Sequence, residues 1–156
     1  MADLRLLAVD LGSSTVRVTA GRWDGRRLAT AEAYRFEHAA QAGPAGVFWD
    51  WGQLWGGVVE GLRKAMADSV PTSLGIDTWG VDYGYVGPDG VLLAPPRSYR
   101  DPRGARHVEA AYAALGPGAY AACGIPAVPI NTAVQVFADL AEAPRLVEQA
   151  ERLLLL

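Results

Sequence analysis

Residues 6–17 read LLAVDLGSSTVR, and the fold that we predict for the rest of the chain is built on them. Its four leading apolar residues predict a buried strand, which ends abruptly at Asp10. Gly12 and three consecutive hydroxyl residues follow, so the strand delivers a carboxylate to a tight turn. Arg17 adds a planar guanidinium shortly after that turn.

Two interpretations fit this turn. Glycine lets backbone approach a ligand closely, and successive N–H groups and hydroxyls form an anion-binding concavity, which suits a phosphate with its divalent cation. Alternatively, Asp-Leu-Gly-Ser-Ser is turn chemistry between two strands, and Arg17 is a solvated cross-strand charge. The stretch by itself leaves both interpretations open.

The composition is that of a globular chain the size of one domain. The 156 residues are 51% apolar, which is ample for a packed core. The net charge is −3 and the sequence has no run of Lys or Arg. We therefore expect neither nucleic acid nor an anionic membrane as a partner.

Compartment is predicted from the cysteine content and from the N-terminal segment. The single cysteine, Cys123, cannot form an internal disulfide, and we expect it to be a small buried side chain in a reducing compartment. Residues 1–11 are too short a segment, and too soon interrupted by Asp10, for a signal peptide. No apolar run approaches the length of a membrane span. These features predict a cytoplasmic protein.

The first third of the chain is predicted to be mostly extended. Alternating apolar residues from 16 to 20 predict a second, half-buried strand. The Asp-Gly pair at 24–25 predicts a hairpin, and residues 27–36 predict a third strand. The chain is therefore expected to begin with an antiparallel three-strand meander. Residues 38–46 are rich in Ala and Gly and predict a mobile loop.

A helix is predicted to follow that loop. Asp50, with Gln53 three residues later, is typical of a helix start. The predicted core stripe of this helix consists of Leu54, Trp55, Val58, Val59, Leu62, Ala65 and Met66. Residues 73–77 then predict a strand. A helical crossover between two strands favours parallel pairing, so we expect a mixed sheet.

The second half of the chain is predicted to change from extended to helical. Residues 81–86 predict a strand, and residues 88–90 predict a turn. The predicted helical segments are 102–115, a short element near Tyr120, 131–142 with Asn131 as its cap, and a last helix that begins at Pro144. The leucines at 153–156 resemble the beginning of a buried strand. Because an open apolar edge is a liability for an isolated domain, we expect the chain to be a fragment of a larger protein.

A second motif, GIDTWGVDYG at residues 75–84, has the same form as the first. Two strands of one sheet that end in such turns would place both turns at one rim, where open α/β sheets bind ligands. Asp77 is either a catalytic acid or the cap of its own turn. Asp82 is either a cleft residue or a solvated charge on the outer face. The two histidines, His38 and His107, are expected at the surface rather than on a metal.

Four motifs together resemble a known family. DLGSSTVR (10–17), GIDTWGVDYG (75–84), SYRDPRG (98–104) and GIPAVPINT (124–132) are similar in order and spacing to the N-terminal domain of the FGGY carbohydrate kinases. The resemblance implies an α/β fold of the ribonuclease H-like (actin-like ATPase) type, with helices packed on a mixed sheet that the antiparallel meander opens. It also implies that residues 1–156 form one N-terminal domain. The general base and the adenosine pocket would belong to a C-terminal domain that this chain lacks.

The resemblance also implies roles for individual residues. Asp10 would act on Mg²⁺ through the waters of the ion. The ATP phosphates would be lined by Gly12, Ser13, Ser14, Thr15, Val16 and Arg17. The ketose would be faced by Trp79, Gly80, Asp82, Tyr99, Arg100 and Asn131. Thr15 and Val16 stand where relatives often carry Ser-Gly, a departure that stiffens the turn.

The implied activity is transfer of a phosphoryl group from ATP, with Mg²⁺, to a small ketose. Within the family, TWGVDYG, YRD and INT resemble the members that phosphorylate L-rhamnulose at O1. The expected partners are the ketose, ATP and the C-terminal domain. Two alternatives remain. The first is another kinase of the family, such as a fuculokinase or xylulokinase. The second is an actin-like or non-catalytic module that senses nucleotide or sugar without chemistry.

Overall fold

The structure is a computed structural model that describes residues 4–67 and 69–156. In chain order the elements are β1 Leu4–Leu11, β2 Thr15–Trp23, β3 Leu28–Glu37, β4 Gln41–Gly43, β5 Gly46–Phe48, α1 Trp51–Ala65, β6 Ser73–Thr78, β7 Tyr83–Val86, α2 Arg103–Leu115, α3 Ala119–Cys123, α4 Thr132–Glu142, α5 Pro144–Gln149 and β8 Arg152–Leu155. These elements form two compact units. The first unit comprises the described residues up to Ala39 together with Asp50–Trp79, and the second comprises Ala40–Trp49 with Gly80–Leu156.

The first unit is built on a four-stranded sheet in the order β3-β2-β1-β6. Strand β2 pairs antiparallel with both β1 and β3, whereas β6 pairs parallel with β1. This parallel pair follows the helical crossover through α1 and confirms the predicted mixed sheet. The buried face of the sheet carries Leu7, Val9, Val16 and Val18. The alternation along β2 is as the sequence predicts, whereas the apolar run of β1 is buried only in part, since Ala8 is exposed.

Helix α1 begins where the sequence predicts. The Asp50 carboxylate accepts a hydrogen bond from the Gln53 backbone N–H at 2.9 Å, which satisfies one of the helix's free N-terminal donors. Leu54 and Val58, four residues apart, are buried on one face. A Cβ added at Gly61 would lie 2.6 Å from Val18 Cγ2, so the helix approaches β2 at a distance that only glycine permits.

The prediction that Trp55 belongs to the core is wrong. Its side chain is 55% exposed, and its ring stacks on Trp51 with 6.4 Å between centroids and 16° between planes. Each helical residue is rotated by about 100° from the previous one, so Trp55 lies beyond the edge of the face that Leu54 and Val58 present. The two indoles cover each other on the outer side of α1.

The second unit contains two small antiparallel pairs, β4 with β5 and β7 with β8. The prediction of a mobile loop over residues 38–46 is wrong, because Gln41–Gly43 pairs with Gly46–Phe48. That hairpin depends on backbone pairing and on the positive φ of Gly46, which a pattern of side chains does not reveal. Strand β8 forms as predicted, but the prediction of its burial is wrong, since Leu153, Leu154 and Leu155 are exposed.

Helices α2 and α4 pack together in the second unit, with Ala111, Val134 and Ala138 buried. Asn131 precedes α4 as predicted, but its side chain does not cap the helix. Cys123, predicted to be buried, is exposed, because the five-residue α3 that contains it buries none of its residues. Within 4–67 and 69–156, no helix combines the length and apolar character needed to cross a bilayer.

Candidate functional site

The predicted phosphate turn lies between β1 and β2 in the first unit. The Gly12 N–H donates to the Thr15 carbonyl oxygen at 3.0 Å and closes the turn. A Cβ at Gly12 would lie 2.9 Å from that same oxygen, so a larger residue would force the turn open. Among the other turn residues, Ser14 is exposed, whereas the Val16 side chain is fully buried in the core.

Asp10 and Arg17 face each other at the mouth of this turn. They are register partners on β1 and β2, and Arg17 Nη2 lies 2.5 Å from Asp10 Oδ2. This is the cross-strand pair that the simple turn interpretation predicts. The two side chains are 43% and 47% exposed respectively, so both charges remain accessible to a phosphate and its cation. The geometry therefore fits both interpretations of the stretch.

A second carboxylate lies beside Asp10. Asp77 on β6 is the parallel register partner of Asp10 on β1, so the two acids occupy the same face of neighbouring strands. Both lie near the carboxyl ends of their strands, which is where open α/β sheets bind ligands. The first unit thus brings together the two acid-ended strands that the sequence singled out.

His38 connects this turn to Trp79. Its Nε2 lies 2.8 Å from the Gly12 carbonyl oxygen, and its backbone N–H donates to the Ser14 carbonyl oxygen at 3.0 Å. The imidazole stacks on the Trp79 indole, with 6.0 Å between centroids and 22° between planes. The prediction that His38 lies at the surface is wrong, because the pairing of Glu37 with Thr15 brings the next residue under the turn.

The other predicted sugar-facing residues lie in the second unit. Asp82 is fully buried, and its Oδ2 accepts a hydrogen bond from Trp49 Nε1 at 2.5 Å. The alternative of a solvated outer-face charge is therefore wrong for Asp82. One residue earlier, the Val81 carbonyl oxygen accepts bonds from Thr132 Oγ1 at 3.0 Å and from Gln135 Nε2 at 2.9 Å.

Tyr99, Arg100 and Asn131 are held mainly by aromatic partners. The Arg100 guanidinium lies 5.7 Å from the Trp49 ring centroid and 5.4 Å from that of Tyr99. The Asn131 amide donates to Tyr112 Oη at 2.7 Å and to the Pro126 carbonyl oxygen at 3.0 Å. These two bonds from the amide nitrogen anchor the side chain to α2 and to the preceding loop, and no side-chain bond caps α4.

Sequence reasoning missed a buried cluster of charges in the second unit. Arg103 is 1% exposed, and its Nε lies 3.0 Å from Asp139 Oδ1. Tyr83 donates its hydroxyl proton to Asp139 Oδ2 at 2.6 Å, and burial together with this neighbouring carboxylate raises the pKa of Tyr83. The available signal was the polar pair Gln135 and Asp139, four residues apart on the apolar face of α4.

Glu142, at the end of α4, has two arginines and one histidine as hydrogen-bonding neighbours. Arg106 donates to it at 2.7 Å and Arg97 at 3.2 Å, and His107 Nε2 lies 3.1 Å away. Partial burial by itself would raise the pKa of Glu142, but the hydrogen bonds from these three side chains outweigh burial and lower the pKa to about 2. Glu142 is therefore a carboxylate at any physiological pH.

The second unit also contains a cavity of about 310 Å³. Its walls include Phe48, Pro96 and Leu146, and the charged Arg97 and Glu142 also line it. The sugar-facing residues predicted from the sequence are not among its lining residues. This cavity is therefore not the predicted sugar site.

The residues present fit a nucleotide phosphate with Mg²⁺ better than a protein-enclosed metal. Among the described residues, no group of three or more His, Cys, Asp or Glu side chains could hold a metal ion. Mg²⁺ usually keeps several waters and binds through one or two carboxylates plus substrate phosphates. Asp10 and Asp77 are two such carboxylates beside a turn that is suited to phosphate.

The chain is similar in sequence to curated rhamnulokinases. No protein-family model matches it. Over 160 residues it is 37% identical to a rhamnulokinase of Klebsiella pneumoniae subsp. pneumoniae, covering 100% of this chain and 33% of that protein. The rhamnulokinase of Klebsiella pneumoniae strain 342 is 36% identical with the same coverage. The chain thus spans about a third of the length of the curated relatives it matches.

Solved structures share the fold. A gluconate kinase from Lactobacillus acidophilus superposes with a TM-score of 0.78 at 15% identity, covering 98% of this chain and 31% of that one. A ligand-bound xylulose kinase from the same organism gives 0.77 at 15% identity, with 96% and 31% covered. The chain therefore has the fold of these sugar kinases, and its sequence is similar to that of rhamnulokinases along its whole length.

Proposed function

We propose that residues 1–156 are the N-terminal, sugar-binding part of an ATP-dependent ketose kinase, and that its reaction converts L-rhamnulose and ATP to L-rhamnulose 1-phosphate and ADP. The observation that carries the proposal is the pair of acid-ended strands, with Asp10 and Asp77 in register beside the glycine turn. Similarity to rhamnulokinases over the whole chain supports the choice of sugar. A cytoplasmic location stays a prediction.

In this proposal the turn from Gly12 to Arg17 binds the phosphates of ATP, and Asp10 orients the waters of the magnesium ion. Backbone N–H groups, hydroxyls and one guanidinium would supply the charge neutralisation that phosphoryl transfer requires. Mg²⁺, when bound with ATP, neutralises charge on the β- and γ-phosphates. The stacked pair of His38 and Trp79 would keep the turn in place, because His38 contacts the turn through the Gly12 carbonyl oxygen.

The ketose would be held by Trp79 and Gly80, with Tyr99, Arg100 and Asn131 as further contacts. The contact predicted for Asp82 is left out of the proposal, because its side chain is fully buried against Trp49. Its hydroxyl at O1 attacks the γ-phosphorus in line, the bond to the ADP oxygen breaks, and a general base accepts the hydroxyl proton. We place that base, and the pocket for adenosine, in a C-terminal domain beyond these residues. Closure of that C-terminal domain on residues 1–156 would exclude water and complete the site.

The experiment compares the full-length wild-type protein with Asp10→Asn in an assay of ketose-dependent ADP release. We expect L-rhamnulose to be the preferred substrate over L-fuculose and D-xylulose. The Asp10→Asn variant should lose turnover by roughly 10²-fold or more, since one charged group at the transferring phosphate is removed. Retention of wild-type turnover by Asp10→Asn would refute the proposed role of this carboxylate.

Asp24→Asn is the matched control. Asp24 lies in the hairpin turn of the same unit, where its Oδ1 accepts the backbone N–H groups of Arg26 and Arg27, both at 2.8 Å. An asparagine side-chain oxygen accepts the same bonds, so we expect turnover to stay unchanged. ATP or ketose binding without ADP release by the full-length wild type would favour a non-catalytic sensing module.

A different sugar is the second candidate function. Xylulose kinases are among the solved structures with this fold, so D-xylulose belongs in the substrate panel. A preference for D-xylulose or L-fuculose over L-rhamnulose would keep the kinase proposal and correct the substrate. Negligible turnover is expected from residues 1–156 alone.

A further inference from the structure

One buried amide joins two separate segments of the second unit. Gln135, in the first turn and a half of α4, is 1% exposed. Its Nε2 donates to the Val81 carbonyl oxygen at 2.9 Å and to the Ile130 carbonyl oxygen at 2.9 Å. These two bonds use both protons of the amide nitrogen. Asp82 Oδ1 lies 3.4 Å from the same nitrogen, at the limit of a hydrogen bond.

The two carbonyls belong to the segments that carry proposed sugar contacts. Val81 follows Gly80, and Ile130 precedes Asn131. From the geometry we infer that Gln135 is a positioning residue for the ketose: it sets the spacing between the Gly80 and Asn131 segments, an assignment that rests on the function proposed above. Gln135 itself has no exposed surface with which to contact the sugar.

The orientation of this amide is fixed from its other end. Arg103 Nη2 donates to Gln135 Oε1 at 2.8 Å. Arginine has only donors, so the atom facing it must be the amide oxygen, and the nitrogen must then face the two carbonyls. Arg103 is itself held by Asp139 and by the Ser98 carbonyl oxygen, at 3.0 Å and 3.3 Å. The buried ion pair between Arg103 and Asp139 therefore fixes the orientation of the Gln135 amide. We call this amide, with its bonds to the Val81 and Ile130 carbonyl oxygens, the clamp.

Thr132 provides a second, weaker restraint on the same segment. Its Oγ1 donates to the Val81 carbonyl oxygen at 3.0 Å, so that oxygen accepts one bond from each of two α4 side chains. Without the Gln135 amide, the Val81 carbonyl oxygen would keep its bond from Thr132, whereas the Ile130 carbonyl oxygen would lose its bond to α4. The spacing between the two segments would then vary. A displacement of a bound substrate by about 1 Å can slow an enzyme reaction by up to about 10²-fold.

The test is Gln135→Met in the full-length protein. Methionine has a similar volume and no hydrogen-bonding amide, so the change removes the clamp with little change in packing. Gln149→Met is the matched control, because Gln149 is exposed on α5. Initial rates are measured with L-rhamnulose and MgATP varied independently, and folding is checked by near-UV circular dichroism.

We expect Gln135→Met to raise KM for the ketose by about ten-fold or more, while KM for MgATP stays within about two-fold of wild type. Thr132→Val should raise the ketose KM by a smaller factor, and Gln149→Met should change neither constant. A merely structural role would lower the amount of active protein, and thus the apparent kcat, without changing the ratio of the two KM values.

Several outcomes would overturn the assignment. A folded Gln135→Met variant with a wild-type ketose KM rejects the positioning role while the kinase function stands, and so does an equal rise of both KM values. If Gln135→Met fails to fold, Thr132→Val decides, and an unchanged ketose KM in that variant rejects the role. If the wild-type protein phosphorylates no ketose, the proposed function fails and the positioning role fails with it.

Discussion

Replacement of Gly61 by alanine tests how closely α1 packs on the sheet of the first unit. A Cβ at Gly61 would lie 2.6 Å from Val18 Cγ2 and 2.8 Å from Tyr34 Cδ1, whereas carbon atoms in contact are normally about 3.5–4.0 Å apart. Val18 is fully buried and β-branched, so its methyl group has little freedom to move aside. The helix would have to shift outward by about 1 Å.

Gly56, in the same helix, offers a matched comparison. A Cβ at Gly56 meets no atom within 4 Å, so Gly56→Ala should gain only the helix propensity of alanine, about 1 kcal/mol. Gly61→Ala gains the same propensity but adds overpacking, which costs about 1–3 kcal/mol. The two variants should therefore differ in free energy of unfolding by about 1–3 kcal/mol, with Gly61→Ala the less stable.

Urea unfolding followed by far-UV circular dichroism measures this difference, because both residues report on the same helix and the same unit. For an m-value of about 2 kcal/mol/M, the midpoint of Gly61→Ala should lie about 0.5–1.5 M below that of Gly56→Ala. If Gly61→Ala raised the midpoint as much as Gly56→Ala does, the close approach of α1 to β2 would be refuted.

Two further predictions concern the charges of the second unit. Asp139→Asn should lower the free energy of unfolding by about 3 kcal/mol in a urea titration, because it leaves the buried Arg103 without its nearest carboxylate. The control is Glu60→Gln at an exposed ion pair, and an equal loss of stability in the two variants would contradict this prediction. Glu142→Gln should flatten the pH dependence of stability between about pH 4.5 and 2. The pKa of Glu142 is lowered on folding to about 2, so its contribution to stability is complete above pH 4.5 and lost as pH falls through that window. Parallel pH curves for the two proteins would refute the ion-pair assignment.

The predicted site residues are divided between the two units. The residues predicted to bind the ATP phosphates, from Asp10 to Arg17, belong to the first unit, and so does Trp79, which is predicted to contact the ketose. Gly80 and the remaining sugar-facing residues belong to the second. The peptide bond between Trp79 and Gly80 is thus one of the places where the chain passes from one unit to the other. Substitutions in the two groups should affect MgATP and ketose kinetics separately, as the Gln135 experiment assumes.

Local patterns predicted the elements well where a single signal was sufficient. An apolar run that ends in an acid located β1, and the Asp50 capping box located the start of α1. The crossover through α1 predicted the parallel pairing that sets Asp77 beside Asp10. These features depend on residues close together in sequence or on the handedness rules of strands and helices. The amino-acid sequence is therefore sufficient to predict them.

The errors came from positions whose environment is set by distant residues. Trp55 has the spacing of a core residue but lies outside the face that packs on the sheet, and Cys123 is apolar but belongs to an exposed turn of helix. His38 looked like a loop residue and is buried under the phosphate turn. Periodicity reports the amphipathic character of an element but not which part of its surface another element covers.

The amino-acid sequence is sufficient to predict two strands with an acid near the carboxyl end of each, a glycine turn after the first strand, and motifs that resemble those of sugar kinases. The burial of Asp82 against Trp49, and the bonds from Gln135 to Val81 and Ile130, become visible in the folded chain and not in the sequence. The physical reason is that strands, caps and turns are fixed by local backbone preferences. The partners of a buried polar group, in contrast, lie more than 30 residues away for Asp82 and about 50 for one of the Gln135 bonds, and folding alone brings them together.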